Sequence, residues 1–316
     1  MVSIAYTISP YLSRYLEKVE TLRQQIVLYP LAPRKEMELQ FGTTVERIRY
    51  GLSLIDMHLT PSTIKTILAN QIVFAMQKNP QRDPQQTAVL NYKEGLDYIK
   101  RNWVLNPETV TTDHFLELFA CVSSHPMPIT ESRLKEVATY LQTSADNALI
   151  QAAIAKLLFR SLLPPGPETE TYSTLCSYLF LYKGGQDFRG LALLERSWND
   201  EKKIFLGQYQ TVIAKQNITN WLEYYVKILS LGLELNLQEL SQNMPQVDQG
   251  NVGKLNERQK TIMTLLEDPK TVITNRTVQK IFHISQITAS RDLAKLTALG
   301  LLFTQGKGRS VRYTRI

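Results

Sequence analysis

The sequence predicts a mainly α protein, in which a large helical body is followed by a small α+β module at the C-terminal end. Three observations carry this expectation. Apolar residues recur at helical spacing through most of residues 1–240, and no run there alternates as a half-buried strand would. A polar stretch at 241–254, holding Pro245, Gly250 and Gly253, then interrupts the pattern as a linker does. Beyond it the charge changes. Residues 255–316 hold eleven Lys and Arg against four acids, which is the whole +7 of the chain, while the first 254 residues balance at 25 and 25.

In the body, residues 11–28 place Leu12, Tyr15, Leu16, Val19, Leu22 and Ile26 on one stripe, and Pro30 and Pro33 end that helix. A second run, 45–57, is followed by Thr60-Pro61, an N-cap with proline at the first helical position. Residues 79–86, with Pro80 and Pro84, read as a polar loop. Helical patterns follow at 87–101, 112–122, 131–141 and 146–162. After a Pro/Gly break at 164–167 comes a helix at 169–182, closed by Gly184-Gly185, and then helices at 188–212 and 218–239. We divide this body into an N-terminal part, 1–75, and a core, 76–240. No internal repeat is visible.

The C-terminal module, 255–316, has its own logic. Asn256 caps a helix carrying Ile262, Leu265 and Leu266. Thr274 or Asn275 starts a second helix through Val278 and Ile281, His283-Ile284 makes a turn, and Ser285 caps a third helix over 286–299 before Gly300. Strands at 301–304 and 310–314 pair around Gln305-Gly306-Lys307-Gly308 as a wing. Together these form a winged helix-turn-helix, whose second helix of the pair enters the DNA major groove. At 100° per residue, Ala289, Leu293 and Leu296 share the core-facing side of the third helix. Ile287 and Arg291 lie opposite, with Ser290 and Lys295 flanking.

Double-stranded DNA is therefore the expected partner. Its candidate contacts are Ser285, Gln286, Ile287, Thr288, Ser290, Arg291 and Lys295 on the helix, with Lys307, Arg309 and Arg312 on the wing. An isoleucine at the start of such a helix can meet a thymine methyl, and Arg291 a guanine edge or a phosphate. Packing of Ile287 on the body, with the charges as a solvated face, is the competing explanation.

Composition closes off several classes. The longest apolar stretch, 148–163, is broken by Lys156 and Arg160, so no membrane span is expected. The N-terminal residues lack the basic-then-apolar layout of a signal peptide, and Cys121 and Cys176 make neither a disulfide framework nor a metal box. A cytoplasmic protein is expected. His58, His114, His125 and His283 have no ligand-like spacing, so no metal and no cofactor are expected.

Segments spread over nearly the whole body resemble the Fic-domain family, whose active members transfer AMP from ATP to hydroxyl side chains and many of which carry a C-terminal winged helix. Ser53-Leu54-Ile55-Asp56-Met57-His58-Leu59-Thr60 is similar to the family's Ser-x-Ile-Glu-Gly-Asn-x-Leu-Thr segment, shortened by one residue. The runs at 90–99, 152–159, 179–190 and 218–225 resemble four further family helices.

The diagnostic His-Pro-Phe-x-Asp-Gly-Asn-Gly-Arg motif aligns with Leu163-Pro164-Pro165-Gly166-Pro167-Glu168-Thr169-Glu170-Thr171. Only the first proline is retained. The base histidine is Leu163, the two glycines are Glu168 and Glu170, and the arginine is Thr171, with Thr174 at a second arginine. The glycine-bearing hairpin that pins the target peptide has no counterpart at 122–128. The resemblance thus implies the fold without the chemistry. Glu168 and Glu170 are expected to fill the following helix N-terminus and repel a polyphosphate. Asp56, where the family has an inhibitory glutamate, is expected to be a surface or capping residue. The aromatic set Trp198, Tyr209, Trp221, Tyr224 and Tyr225 is expected in the core or at a subunit contact.

The resulting expectation is a non-enzymatic DNA-binding transcriptional regulator on an inactive Fic-like body. A homodimer and an unidentified effector or protein partner remain open. The alternatives are an enzyme with a non-standard site, using Glu168, Glu170 or His125, and a protein-interaction scaffold.

Overall fold

The structure is a computed structural model, and it describes the chain except residues 1–4, 32, 71–82, 104–108, 144–146, 216, 244–254, 267–270, 300, 307–310 and 316. It is mainly α, with one small sheet, and divides into two compact units, Met1–Leu237 and Gln238–Ile316. No helix among the described residues is long and apolar enough to cross a membrane.

The first unit is helical. α1 (Pro10–Leu28) is capped by Ser9, whose Oγ accepts from Leu12 N at 3.1 Å, and it buries Leu12, Val19, Leu22 and Ile26. α2 covers Pro33–Leu54, so Pro33 opens a helix that the sequence pattern starts only at 45. Proline suits a first turn because that N–H has no intrahelical partner. α3 (Pro61–Ala69) follows Thr60 as its N-cap. The same logic corrects the polar loop expected through 86: α4 (Pro84–Trp103) begins at Pro84. Residues 79–82 of that loop lie outside the described residues.

α5 (Thr112–Val122) and α6 (Glu131–Thr143) precede the two central helices, α7 (Ala148–Leu162) and α8 (Pro167–Lys183). α8 is buried nearly all round from Thr169 to Tyr182. The α7–α8 pair is the most closely packed of the fold, and Gly184 permits it. A Cβ there would collide with the Ala148 Cβ, and Gly185 follows at φ +67°.

The single helix expected at 188–212 is broken. Phe188–Gly190 is one 3-10 turn, and α9 (Leu194–Asp200) and α10 (Lys202–Lys215) follow. Phe188, Arg189 and Gly190 have φ of 49°, 56° and 73°. Arg189 explains the break. Its Nη1 donates to the carbonyls of Ile26 (3.2 Å) and Tyr29 (2.6 Å), and its Nε and Nη2 donate to Glu36 at 2.9 and 2.6 Å. Long-range contacts fix backbone that local propensity would have wound into helix. α11 (Thr219–Asn243) runs through the unit boundary at Leu237 and extends four residues past the expected end, with 244–254 outside the described residues.

Two buried charged groups sit among these helices. Arg47 of α2 donates to the Ala192 carbonyl at 2.7 Å and lies 4.4 Å over the Tyr178 ring. Glu195 of α9 accepts from the hydroxyls of Tyr92 and Tyr178, each at 2.7 Å. Burial raises the Glu195 pKa, against the pull of Arg47 and the two tyrosines. The network ties α2, α4, α8 and α9 through hydrogen bonds that a dry core would otherwise leave unmade. The expected aromatic set is largely core: Trp198, Trp221, Tyr224 and Tyr225 are buried, and Tyr209 is half-buried.

The second unit contains α12 (Glu257–Leu265), β1 (Ile273–Thr274), α13 (Asn275–Phe282), α14 (Gln286–Ala298), β2 (Leu302–Gln305) and β3 (Arg312–Arg315). The antiparallel sheet has the order β1-β3-β2, with Thr274 opposite Arg312 and Gln305 also opposite Arg312. Two corrections apply. The hairpin strands lie one to two residues later than expected, so Gln305 is in β2 and not in the turn. β1, a two-residue strand with no alternating pattern of its own, has no sequence signature. The core joins Leu255, Ile262, Leu266, Ile273, Val278, Ala289, Leu293, Leu296 and Leu302.

Candidate functional site

Two regions hold the residues singled out by sequence, and each belongs to one unit. The first is the outer face of α14. Local caps set this helix. Thr274 and Thr277 form a capping box at the start of α13, and His283 takes the left-handed conformation that ends it (φ 51°, ψ 45°). Ser285 Oγ then accepts from Thr288 N at 3.3 Å to begin α14. A cap of this kind is worth about 1 kcal/mol.

Ala289, Leu293 and Leu296 are fully buried on the inner side. On the outer side Gln286, Ser290, Arg291 and Lys295 are exposed, and Ile287 is 72% exposed. Arg312 is exposed on β3, whereas Lys307 and Arg309 lie outside the described residues. Three of the candidate DNA-binding residues already have internal work. Ser285 and Thr288 share the cap, with their hydroxyls 3.0 Å apart, and Ser290 Oγ accepts from Asn275 Nδ2 at 2.7 Å.

Sequence reasoning missed two positioning residues here. Asn275 also donates to the Gln286 carbonyl at 3.3 Å, so it braces the first turn of α14 from α13. Asp292, in the middle of α14 and buried, accepts from Gln259 Nε2 (2.7 Å), Arg258 Nε (3.1 Å) and Asn256 Nδ2 (3.4 Å). Asn256 and Gln259 also form the capping box of α12. A buried acid in a basic module is the signal that points to Asp292.

The second region is a cleft of about 660 Å³ in the helical body. The segment 163–171 forms one wall: Leu163, Pro164, Glu168, Thr169 and Thr171 all line it, with Pro165, Gly166 and Pro167 between. Opposite are Ile55 and Met57 after α2, Thr87, Ala88 and Asn91 of α4, and Phe119 to Pro128 at and beyond the end of α5. Leu163 is buried as the C-cap of α7. Thr169 donates from Oγ1 to the Pro164 carbonyl at 2.6 Å, which closes the turn into α8. Asn91 Nδ2 donates to the Val122 carbonyl at 2.8 Å.

Glu170 is the departure. The sequence places it beside Glu168 as an open carboxylate at the start of α8, but it is absent from the cleft and turns into the core. Its Oε1 lies 2.5 Å from Lys156 Nζ, and Arg160 Nη1 approaches Oε2 at 3.2 Å as an ion pair. Lys156 is fully buried, donates to Thr174 Oγ1 at 2.7 Å, and lies 4.8 Å over the Trp198 ring. Arg160 lies over Phe205 and Tyr209, at 5.0 and 4.5 Å. Burial works against the Glu170 charge, but Lys156 and Arg160 outweigh it and hold its pKa below the ordinary carboxylate value. Glu170 is thus shared by both cations of the C-terminal half of α7 and offsets one of their two positive charges. Among the described residues, no Lys or Arg lines the cleft.

Of the other residues raised by sequence, His125 is exposed at the cleft, and its backbone N donates to Ser123 Oγ at 3.1 Å. Asp56 caps no helix. It is an exposed turn residue at φ 61° whose Oδ1 accepts from Lys202 at 2.6 Å, a bond that holds its carboxyl below the ordinary value. No group of three or more His, Cys, Asp or Glu among the described residues is arranged to hold a metal ion.

No protein-family model matches the chain, and no curated protein matches it in sequence. The comparison with solved structures does find likenesses. A Fic family protein from Desulfovibrio desulfuricans G20 matches 100% of this chain and 98% of its own, with a TM-score of 0.62 at 11% sequence identity. At that identity the likeness establishes a shared Fic-like fold over the full chain, and function has to be argued from the sites themselves.

Proposed function

We propose that this protein is a transcriptional regulator that reads duplex DNA through a winged helix-turn-helix and carries a catalytically inactive Fic-like body. The observation that supports it best is the division of α14. One side is sealed by Ala289, Leu293 and Leu296, while Ile287 and Arg291 stand exposed on the other. The pairing of a large apolar side chain with an arginine on one exposed helix face matches what a base-reading helix presents. It is well suited to a groove that offers methyl groups and guanine edges. The +7 charge of residues 255–316 supplies the phosphate attraction that such a reader needs.

Inactivity of the body rests on the cleft wall. Leu163 has no atom to take a proton, where the resemblance calls for a base. Glu168 and Thr171 replace the glycine and arginine that would meet phosphate, and Lys156 and Arg160 are committed to Glu170. A polyphosphate would enter a cleft whose described lining offers no Lys or Arg to meet it.

Selection of bound fragments from random duplex DNA tests the proposal. Enrichment of a defined motif supports it, and a palindromic motif would add a homodimer, because half-site symmetry mirrors protein symmetry. Recovery of unenriched sequence at physiological salt would overturn it.

A further inference from the structure

The cleft in the helical body has a chemistry of its own. We infer that it is a small-molecule site for a donor-bearing, non-anionic ligand: an aromatic or aliphatic body ending in an amine or a hydroxyl. Its volume of about 660 Å³ lies in the range of small-ligand pockets. Ile55, Met57, Phe119, Val122 and Leu163 provide an apolar lining.

The polar inventory is skewed toward acceptors. Pro126, Pro128 and Pro165 line the cleft outside the helices, and proline brings a carbonyl without an N–H; the carbonyls of Pro84 and Pro167 belong to helix first turns, and that of Pro164 already accepts from Thr169. Two side-chain donors are already used inside the wall. Asn91 gives one of its two amide N–H groups to the Val122 carbonyl and keeps its side-chain carbonyl as an acceptor, and Thr169 gives its hydroxyl proton to the Pro164 carbonyl. The hydroxyls of Thr87, Ser123 and Thr171 and the His125 ring serve either role.

Charge points the same way. Glu168 is the carboxylate among the described lining residues, no Lys or Arg accompanies it, and the nearby Lys156 and Arg160 are held by Glu170. The N-terminus of α8 would ordinarily attract an anion. Here Pro167 removes one of its N–H groups, and the Glu168 carboxylate already occupies the first turn. A carboxylate or phosphate ligand therefore meets acceptors and a like charge, while an amine or alcohol meets partners.

Three probes on one skeleton test this by calorimetry on the full chain: 2-(1-naphthyl)ethylamine, 2-(1-naphthyl)ethanol and 1-naphthaleneacetate. No DNA is present, so the result is independent of duplex binding. The amine should bind most tightly, the alcohol next, and the carboxylate should give no saturable heat. Glu168→Gln should weaken the amine by about two- to five-fold, the scale of an exposed charge pair, and leave the alcohol unchanged. Ala88→Trp, which fills the cleft from a half-buried position on α4, should abolish binding of both. Thr87→Trp repeats that test should the first variant not fold. Tighter binding of the carboxylate than of the amine, no saturable binding of any probe, or undiminished binding in a folded Trp variant would each overturn the inference.

Discussion

Lys156 Nζ lies 2.5 Å from Glu170 Oε1, and the two residues join the middle of α7 to the first turn of α8. The ammonium also has the Thr174 hydroxyl and the Trp198 ring, so its hydrogen-bonding capacity is met inside the core. Removing one partner of such a pair leaves an uncompensated buried charge. Glu170→Ala should therefore cost about 3–5 kcal/mol, whereas the double change Lys156→Met with Glu170→Leu should recover most of it. Urea unfolding of the two singles and the double decides this. An interaction energy from that cycle below about 0.5 kcal/mol would show that the pair is not energetically coupled.

The same pair sets a pH dependence. Glu170 has a folded pKa below its unfolded value, near about 4.3, so its contribution is fully present above that value. It is lost as pH falls through the lower folded pKa. As pH falls below about 5, the parent should lose stability more steeply than the Lys156→Met/Glu170→Leu double. Parallel curves would contradict the assignment of Glu170 as a charged internal partner.

In the body we expect no AMP transfer to the protein itself or to mixed protein substrates. Labelled ATP with magnesium should leave every protein band blank, because Leu163 offers no base and the described cleft lining presents no Lys or Arg. Labelling abolished by Glu168→Ala, or by Glu170→Ala in a variant shown to remain folded, would contradict the inactive reading. Labelling that survives both would place the chemistry elsewhere.

Asp292 should matter to α14 although it touches no ligand in this account. Its carboxylate accepts from Asn256, Arg258 and Gln259, and Gln259 is buried with it. Asp292→Ala leaves the Gln259 amide without its acceptor and should destabilise the C-terminal unit by roughly 1–3 kcal/mol. Most of that is assigned to Gln259, since the Arg258 side chain is 40% exposed and its ion pair is screened. Hydrogen exchange at α12 and α14 should accelerate together. Faster exchange in only one helix would mean that Asp292 does not link them.

What is legible in this sequence follows the range of the interactions. Thr60, Asn256, Thr274 and Ser285 can be read as caps because capping involves residues within one turn. The inner face of α14 is legible for the same reason, since helical spacing alone brings Ala289, Leu293 and Leu296 together. The turn at Phe188–Gly190 is not, because it depends on Arg189 reaching Ile26, Tyr29 and Glu36 more than 150 residues away. Glu170 looks like a terminus carboxylate until packing brings Lys156 to it, fourteen positions earlier on another helix. The cleft wall at 163–171 is named by resemblance, while its opposite wall from α2, α4 and α5 requires the fold.

The central claim, that α14 and the wing read DNA, predicts two distinct failures. Arg291→Ala should cost about 1–3 kcal/mol on a selected site and relax preference at one position. A paired change at Lys307 and Arg309 should weaken all sequences alike and reduce the log–log salt slope by about one unit for each phosphate no longer neutralised. Binding isotherms of the full chain on a selected and a scrambled duplex, at several salt concentrations, measure both effects together. The account predicts a steep slope for the parent and a shallower one for the Lys307/Arg309 double variant. Equal affinity of parent and double variant for both duplexes, with an unchanged slope, would contradict it.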